Sequence, residues 1–457
     1  MDWSAVTNFN AVISVLGGWL VLFGTFSFLI KETLYLSEAL VYLLGGVAFT
    51  HVAGFLKPSE YADSDDAVAS ITLNFSRLVL GVQLVIAGVQ LPSRYLRKEW
   101  KSLSLLLGPV MIGMWACTSA VVWFIVPDLP LVHALAIAAC VTPTDPVLSA
   151  TILKGRFADQ NVPEDLQQII VAESGANDGL GYPFLYLALY LIKYTESDGN
   201  PASSEGGFAA AIRLFFGQTC IYVVLMSVFY GWVVGWLGQK LLHWAERRKF
   251  VDRESFRLFP IGLAIFILGT CGMVGTDDVL ACFIAGNAFN WNDWFRLKTL
   301  DDPIQNAIDM LLNMAIFMWL GAVCPWERFW TSELIQPWRL CALGLLVLLL
   351  RRLPIILVLH RYIRQIRGPS QALFVGYFGP IGISAIFYLY IGLEFLETLT
   401  DNDGQRADAK TLGDTMLVAV WFLIICSIVI HGVSVPIAKL GLMFRNRFFP
   451  SRVALPT

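Results

Sequence analysis

The sequence predicts an all-α polytopic membrane protein. Of its 457 residues, 56% are hydrophobic and only 15% are charged, whereas a soluble domain is rarely more than about half apolar. The apolar residues also come in blocks of about 20, the length of helix that crosses the hydrocarbon core of a bilayer. These two observations predict a bundle of membrane-spanning helices.

Thirteen apolar blocks can be counted along the chain. They lie at about 11–30, 33–55, 68–92, 103–126, 130–152, 166–192, 208–238, 256–274, 277–291, 304–324, 338–360, 371–395 and 412–438. The ninth is short enough to be a half-helix. The first is read as a retained helix, because no basic segment and cleavage site precede it.

The distribution of basic residues predicts the orientation. If the N-terminus lies outside, twenty-two of the 32 Lys and Arg residues fall in cytoplasmic segments and seven fall on the opposite side. Because cytoplasmic loops are enriched in Lys and Arg, this bias supports an odd number of spans and a cytoplasmic C-terminus. We expect residues 1–440 to form one transporter domain and 441–457 to form a short cytoplasmic tail.

Enzyme and cofactor motifs are not found. The eight cysteines form no Cys-x-x-Cys pair, so neither a zinc site nor a disulfide framework is indicated. The sequence has no Ser/His/Asp set, His-Glu-x-x-His motif or phosphate-binding loop. We therefore predict a protein that is not an enzyme and has no cofactor and no nucleic-acid partner, but is surrounded by membrane lipid.

Residues 173–178 place a polar cluster inside the sixth apolar block. Ser174 and Asp178 are spaced i, i+4 on one helix face, and Glu173 and Asn177 pair in the same way on the neighbouring face. A carboxylate at bilayer depth is costly unless it is compensated, and such residues mark functional sites. The cluster therefore predicts a site for a cation, a proton, or both.

The fifth block is interrupted at residues 142–146, which read Thr-Pro-Thr-Asp-Pro. Two prolines remove backbone donors and break the helix, and the freed carbonyls must then be satisfied by the protein or by an ion. Threonine hydroxyls at Thr142 and Thr144, with the carboxylate of Asp145, suit sodium or lithium. The alternative is a proline kink in which Asp145 only caps the following half-helix.

A second interruption lies in the twelfth block, at residues 378–384 with the sequence Phe-Gly-Pro-Ile-Gly-Ile-Ser. Interrupted helices at corresponding positions in two halves of a chain point to an inverted-repeat transporter with its site near the midplane. Together with the break in the fifth block, this predicts two broken helices that meet at the site.

Two adjacent arginines, Arg351 and Arg352, lie within the eleventh block and need partners. Glu173 is the available carboxylate, so we predict a buried ion pair between Arg352 and Glu173 that stabilises the structure and does not bind the ion. The alternative is that both arginines extend to the cytoplasmic interface.

Asp277 and Asp278 open the short ninth block. They are interpreted either as helix N-caps or as part of an ion pathway, and Arg77 in the third block is a candidate partner for one of them. The five histidines, His431 among them, lie near block ends and are read as interfacial residues.

In combination, these motifs resemble the monovalent cation/proton antiporters, in particular the NhaP/NHE-like branch and the fungal plasma-membrane Na⁺/H⁺ antiporters. The resemblance covers essentially the whole chain. It is carried by Thr142–Ser149, Ala172–Gly179, Thr276–Asp278, Phe289–Asp293, Arg351–Pro354 and Phe374–Gly382.

The resemblance implies an antiporter fold of thirteen helices, with crossing broken helices, a six-helix core and a dimerisation domain. We assign the core to about 68–192, 304–324 and 338–438, and the dimerisation helices to about 11–55 and 208–291. A homodimer and elevator-type alternating access are also implied.

The resemblance further implies that Asp178 is the main ion and proton carboxylate. Asp145, Ser174 and the Thr144 backbone would complete the sodium shell. Asn177 stands where electrogenic relatives carry a second aspartate. One departure is Ile381, because many relatives carry an arginine in this break.

The predicted function is therefore export of sodium or lithium, with potassium as a further candidate cargo, in exchange for protons across the plasma membrane. A proton or a cation occupies Asp178, but not both. The alternative is a passive cation channel or uniporter, which would carry ligand rings along a pore rather than titratable carboxylates on broken helices.

Overall fold

The computed structural model describes residues 8–60, 64–146, 148–149, 162–195, 206–300, 302, 304–401 and 404–448. These residues are nearly all helical. In this part of the chain, β-structure is confined to a two-stranded antiparallel hairpin of β1 (Thr400–Asp401) and β2 (Gly404–Gln405).

The helices are numbered in chain order. The first half contains α1 (Asn8–Phe28), α2 (Glu38–Val47), α3 (Asp65–Gln90), α4 (Tyr95–Lys98), α5 (Trp100–Leu105), α6 (Met111–Ile125), α7 (Leu131–Val141) and α8 (Glu164–Thr195). The second half contains α9 (Gly207–Leu214), α10 (Met226–Arg247), α11 (Arg253–Val274), α12 (Asp278–Phe289), α13 (Trp294–Lys298), α14 (Ile304–Val323), α15 (Arg328–Thr331), α16 (Pro337–Leu350), α17 (Leu353–Leu359), α18 (Pro369–Tyr377), α19 (Ile383–Glu397) and α20 (Ala407–Phe448).

Short π-helical and 3₁₀ segments connect or extend several of these helices. The π-helical segments are Leu29–Thr33, Ala48–Val52, Leu106–Val110 and Phe215–Leu225, and the 3₁₀ turns are Pro58–Glu60 and His360–Tyr362. The segments at Leu106–Val110 and Phe215–Leu225 make α5–α6 and α9–α10 continuous.

Eight helical segments among the described residues are long and apolar enough to cross a bilayer. They are Asn10–Lys31, Asp66–Gln90, Trp100–Ile125, Gly207–Arg247, Arg253–Val274, Ile304–Val323, Pro337–Tyr362 and Ala407–Ile437. The chain is thus a polytopic integral membrane protein, as predicted. The count of thirteen spans stays a prediction.

Both predicted helix interruptions are present. Helix α7 ends at Val141, and an irregular segment separates α18 from α19. The two breaks meet, because the backbone nitrogen of Asp145 donates to the carbonyl oxygen of Pro380 at 3.0 Å. The cause is local: proline has no N–H, so each break removes rungs of the helical hydrogen-bond ladder.

A third interruption was not predicted. The block at 338–360 is divided into α16 and α17 at Arg351 and Arg352. Pro354 occupies the first turn of α17, where a missing N–H is tolerated. The division directs two neighbouring arginines toward different parts of the protein interior.

In two pairs of helices, a glycine on each helix lets the backbone of the other helix approach closely. A Cβ on Gly46 of α2 would lie 2.1 Å from the Met318 oxygen of α14, and one on Gly321 would lie 2.4 Å from the Leu43 oxygen. Helices α3 and α12 meet in the same way at Gly88 and Gly286. Both contacts cross the boundary predicted between the core and dimerisation helices.

Candidate ion-binding site at the crossing of two broken helices

Helix α8 carries the polar cluster into the protein interior. Glu173, Ser174, Asn177 and Asp178 are all buried, as are Thr144 and Asp145 of the facing break. The i, i+4 spacing aligns Ser174 with Asp178 as predicted. The structure therefore brings together the residues that the sequence analysis assigned to the ion site.

Asp178 is the least satisfied group of the cluster. Neither of its carboxylate oxygens has a hydrogen-bond partner at bonding distance among the described residues, although both are buried and the buried Ser384 hydroxyl at the start of α19 lies near them. The Tyr388 hydroxyl donates to the backbone carbonyls of Asp178 and Gly179, not to the carboxylate. Because a buried charge without partners is strongly unfavourable, this carboxylate needs a proton or a cation.

Asn177 ties α8 to the first break. Its Oδ1 accepts from the Thr144 backbone nitrogen at 3.1 Å, and its Nδ2 donates to Thr144 Oγ1 at 2.8 Å. Thr144 Oγ1 also lies 3.2 Å from Ser174 Oγ. Both ends of the amide are thus used to hold the unwound segment, which places the Thr144 and Ser174 hydroxyls side by side.

Asp145 caps two helical starts at once: that of α19 and that of the turn after the first break, of which the structure describes residues 146 and 148–149. Its Oδ1 accepts from the Leu148 nitrogen at 3.0 Å, in its own chain segment, and its Oδ2 accepts from the Ile383 nitrogen at 2.6 Å, at the start of α19. The capping interpretation therefore describes this residue in the structure. It does not exclude ion binding, because a carboxylate oxygen can accept more than one bond.

Gly382 leaves the space that Asp145 occupies. A Cβ at Gly382 would lie 2.1 Å from Asp145 Oδ2. We expect Gly382→Ala to displace the carboxylate, to lower the free energy of unfolding by about 1–3 kcal/mol, and to lower cation/proton exchange at least tenfold in rough terms. Thermal unfolding in detergent and exchange in proteoliposomes measure the two effects.

Gly262→Ala in α11 is the matched control, because a Cβ there meets nothing within 4 Å. Equal effects of the two substitutions would contradict the explanation that Gly382 leaves space for Asp145.

The Arg352 guanidinium pairs with Glu173 in bidentate geometry. Nη1 donates to Oε1 at 2.6 Å and Nη2 to Oε2 at 2.7 Å, while Nε donates to the Val375 oxygen at 2.9 Å. Both side chains are almost fully buried. This pair connects α8 with α17 and α18, beside the ion site.

Arg351 was missed as a site residue by sequence reasoning. It does not extend to the interface but is buried, and it donates to backbone carbonyls of both breaks. A signal existed in the sequence: two adjacent arginines face a single available carboxylate, while prolines leave carbonyls without donors.

Asp277 and Asp278 lie at the start of α12, and Thr142 lies two residues before Thr144 in the first break. Asp277 is the N-cap of α12, with Oδ1 accepting from the Leu280 nitrogen at 3.0 Å, and its buried Oδ2 has no partner among the described residues. Asp278 pairs with Arg77. The Thr142 hydroxyl donates to the Ala138 carbonyl at 2.7 Å, within its own helix.

The interpretation of His431 as an interfacial residue was wrong. His431 is buried, with Nε2 3.1 Å from the Tyr377 oxygen and Nδ1 2.9 Å from the Ser427 oxygen. Ser427 Oγ in turn accepts from the Ile381 nitrogen at 2.7 Å. Ser427 and His431, spaced i, i+4 on α20, therefore hold backbone groups of the second break and of the end of α18.

The chain matches a known family along almost its whole length. The family model described as "Sodium/hydrogen exchanger, transmembrane" matches residues 10–439. The chain belongs to the sodium/hydrogen exchanger family. Its fold matches that of the sodium/proton antiporter MjNhaP1 of Methanocaldococcus jannaschii with a TM-score of 0.66 at 16% identity, over 96% of this chain and 100% of the other.

Fungal relatives match over the whole chain. The Na⁺/H⁺ antiporter 2 of Zygosaccharomyces rouxii is 35% identical over 100% of this chain and 56% of its own length. A probable Na⁺/H⁺ antiporter of Schizosaccharomyces pombe is 35% identical over 96% of this chain and 58% of its own length. A second Na⁺/H⁺ antiporter of that yeast is 29% identical over 98% of this chain and 95% of its own length. The chain thus spans little more than half the length of the first two relatives.

Proposed function

We propose that this protein exchanges sodium or lithium for protons across the membrane, with potassium as a further candidate cargo. The observation that carries the proposal is the Asp178 carboxylate, buried at the crossing of two broken helices, where neither oxygen has a hydrogen-bond partner in the part of the chain that the structure describes. The names of the relatives, which describe Na⁺/H⁺ antiporters, support sodium as the cation and exchange for protons as the activity. Family membership makes a transporter, not an enzyme, the expected class.

The proposed mechanism is competition for one carboxylate. An unpaired charge in a low-dielectric interior is costly, so Asp178 holds either a proton or a cation when the site is closed. A proton that enters down its gradient displaces the cation, and the cation displaces the proton on the return. Coupling follows because the two cargoes cannot occupy the site together.

The cation would be held by oxygen atoms that the two elements present to each other. We propose Asp178 and Ser174 from α8, and Asp145 and Thr144 from the first break, as its shell. Carboxylate, hydroxyl and carbonyl oxygens are the ligands that hard cations prefer. Among the described residues, no group of three or more His, Cys, Asp or Glu side chains could hold a resident metal.

We assign Asn177 a positioning role rather than a place in the shell. Both ends of its amide already bond Thr144, and it adds no titratable group. This favours electroneutral exchange through one carboxylate. Equal exchange rates with and without a clamped membrane potential would support that stoichiometry, and a rate that follows the potential would contradict it.

Asp277, Asp278 and Thr142 are proposed to lie along the ion pathway. The support is the buried, unpartnered Oδ2 of Asp277. The pairing of Asp278 with Arg77 and the internal bond of Thr142 give these two residues orienting roles. The Asp277 substitution described in the Discussion tests this assignment.

The deciding experiment uses the purified protein in proteoliposomes that contain a pH-sensitive dye. An imposed sodium gradient should move protons in the opposite direction, and an imposed pH gradient should move ²²Na⁺. A passive channel or uniporter would carry sodium without obligatory proton movement. Sodium flux that leaves the internal pH unchanged, at zero membrane potential, would overturn the proposal.

We propose that exchange proceeds by an elevator-type movement of one body against another. The glycine contacts attach α3 to α12 and α14 to α2. We therefore place α3 and α14 with the static dimerisation helices, and propose that α5–α8 and α16–α20 move as the core. The core is then smaller than the one assigned from the sequence, which included α3 and α14. The moving boundary then includes the contact of Gly175 in α8 with Phe283 in α12.

Cross-linking tests this movement in a cysteine-free background. A cysteine pair near Gly88 and Gly286, across α3 and α12, should leave exchange unchanged. A pair near Gly175 and Phe283, across α8 and α12, should block exchange until the disulfide is reduced. Undiminished exchange by the second cross-linked protein would exclude relative movement at this boundary.

We propose a homodimer that buries part of the apolar surface of α10. Phe229, Trp232 and Trp236 are exposed on one side of this helix, where membrane lipid or a second copy must cover them. Native mass spectrometry from lipid nanodiscs distinguishes the two, and a mass of one chain only would contradict the dimer.

We propose residence in the plasma membrane, with the N-terminus outside and the C-terminus in the cytoplasm. The support is the excess of basic residues in the segments assigned to the cytoplasm. A fluorescent tag on the C-terminus should mark the cell boundary and resist quenching from outside. Quenching of the tag by a membrane-impermeant reagent would show that the C-terminus lies outside and would contradict the proposed orientation.

A further inference from the structure

Arg351 lies between the two broken helices and contacts both. Its Nη1 donates to the carbonyl oxygens of Val141, Thr142 at 3.3 Å and Pro143 at 3.2 Å. Its Nη2 donates to the carbonyl oxygen of Gly379. The side chain is only 2% exposed, so one guanidinium serves two chain segments inside the protein.

The carbonyls of the first break need an external donor. In a continuous helix, the Thr142 oxygen would accept from residue 146, but that residue is Pro146 and has no N–H. The Val141 oxygen would accept from Asp145, whose N–H instead donates to the oxygen of Pro380. Breaking the helix therefore creates the acceptors that Arg351 satisfies.

The carbonyl of the second break is left without its helical donor in a similar way. The Gly379 oxygen would accept from the Ile383 nitrogen, which donates to Asp145 Oδ2 at 2.6 Å. Within the membrane such an oxygen must be satisfied by protein groups or by a bound cation. Arg351 supplies the positive charge here, whereas position 381 of the break is an isoleucine.

The crossing thus has charges of opposite sign at its two kinds of helix end. Asp145 accepts N–H groups at the start of two half-helices, where helix dipoles favour an anion, and Arg351 donates at the carbonyl ends, where they favour a cation. The neighbouring Arg352 has a different partner, Glu173. The two arginines are therefore not equivalent.

We propose that Arg351 is a positioning residue of the ion site. Its permanent charge joins the carbonyl ends of the two broken helices and prevents those carbonyls from serving as cation ligands, so that the transported ion depends on Asp178 and its neighbours. This inference rests on the proposed exchange function and adds a residue that sets the geometry and potential of that site.

The test compares Arg351→Gln with Arg351→Lys in proteoliposomes, per folded molecule. We expect Arg351→Gln to lower the maximal exchange rate about tenfold, and Arg351→Lys, which keeps the charge but not the two-pronged guanidinium, to lower it less. The matched control is Arg339→Gln, because Arg339 also donates to a backbone carbonyl, that of Ile125 at 2.8 Å, but far from the crossing. We expect its exchange rate to be unchanged.

The pH profile separates positioning from a general loss of stability. The charged and titratable groups around the crossing are Asp145, Asp178, Glu173 and Arg352, together with Tyr388 of α19 and His431 of α20, which interacts with Arg351. Removing the Arg351 charge makes the electrostatic potential at these groups more negative, and this favours the protonated form of the Asp178 carboxylate. Half-maximal exchange should therefore move to higher pH in Arg351→Gln, by about one unit.

Hydrogen exchange provides a readout that does not depend on transport. The amides of Asp145 and Ile383 should lose protection in Arg351→Gln, lose less in Arg351→Lys, and keep their protection in Arg339→Gln. Unchanged protection, or a glutamine variant with the parent's pH profile and apparent sodium KM, would overturn the inference. If the parent shows no exchange, the proposed function fails, and the protection data still decide the role of Arg351.

Discussion

Replacing Asp178 by asparagine should abolish cation/proton exchange while the protein stays folded. The amide keeps the size of the side chain but can neither release a proton nor supply a charged oxygen to a cation. We expect the exchange rate in proteoliposomes to fall by about 100-fold or more. Gel filtration and the thermal unfolding midpoint should be unchanged or improved, because a buried group without hydrogen-bond partners loses its charge.

Asp277→Asn is the matched control for this substitution. Asp277 is also a buried carboxylate with one oxygen that has no hydrogen-bond partner among the described residues, but it caps α12 and is not on either broken helix. We expect exchange to persist with an apparent sodium KM raised about tenfold or less, as for the loss of a charge along an approach route. Retained sodium/proton exchange by Asp178→Asn would remove Asp178 from the mechanism, and full loss in Asp277→Asn would make the second carboxylate part of it.

Replacing Arg352 by glutamine should have the largest effect on stability. The change leaves Glu173 buried without its bidentate partner and removes the bond to the Val375 oxygen. Breaking one side of a buried ion pair costs about 3–5 kcal/mol in the free energy of unfolding. Thermal unfolding in detergent measures the effect, and exchange should be lost with it because α8 and α18 both border the ion site.

A double substitution tests whether the unpaired charge is the cause. Glu173→Gln with Arg352→Gln removes both charges, and we expect it to be more stable than Arg352→Gln alone, because no buried charge is left without a partner. Exchange by this double variant would show that the pair acts on structure and not on the ion. A single variant as stable as the parent would contradict the inferred cost.

The helix breaks could be predicted from the sequence because their cause is local. The first break has two prolines three residues apart and the second has Pro380 between two glycines, whereas a single proline does not suffice, since Pro183 lies inside α8. The alignment of Ser174 with Asp178 is also local, since it follows from 3.6 residues per turn. Fold class and family were confirmed for the same reason: hydropathy blocks and motifs are properties of the chain itself.

The division of the eleventh block at Arg351 and Arg352 could not be predicted in the same way. Pro354 is compatible with a first helical turn, so the sequence allows a continuous span as well as a broken one. The structure breaks it because the two side chains have buried partners in different directions. The role of His431 was misread for a related reason, since proximity to a block end does not reveal which helix lies opposite.

By itself, the sequence determined that the chain crosses a membrane many times, that two of its helices are interrupted, and that carboxylates lie at bilayer depth. Only the tertiary structure decided which partner each charged group has. Glu173 pairs with Arg352, Asp145 accepts at two helix N-termini, and Arg351 donates at the carbonyl ends. The Asp178 carboxylate has no hydrogen-bond partner among the described residues. These contacts join residues far apart in the chain. Their pairing is therefore set by helix packing, which local sequence pattern does not encode.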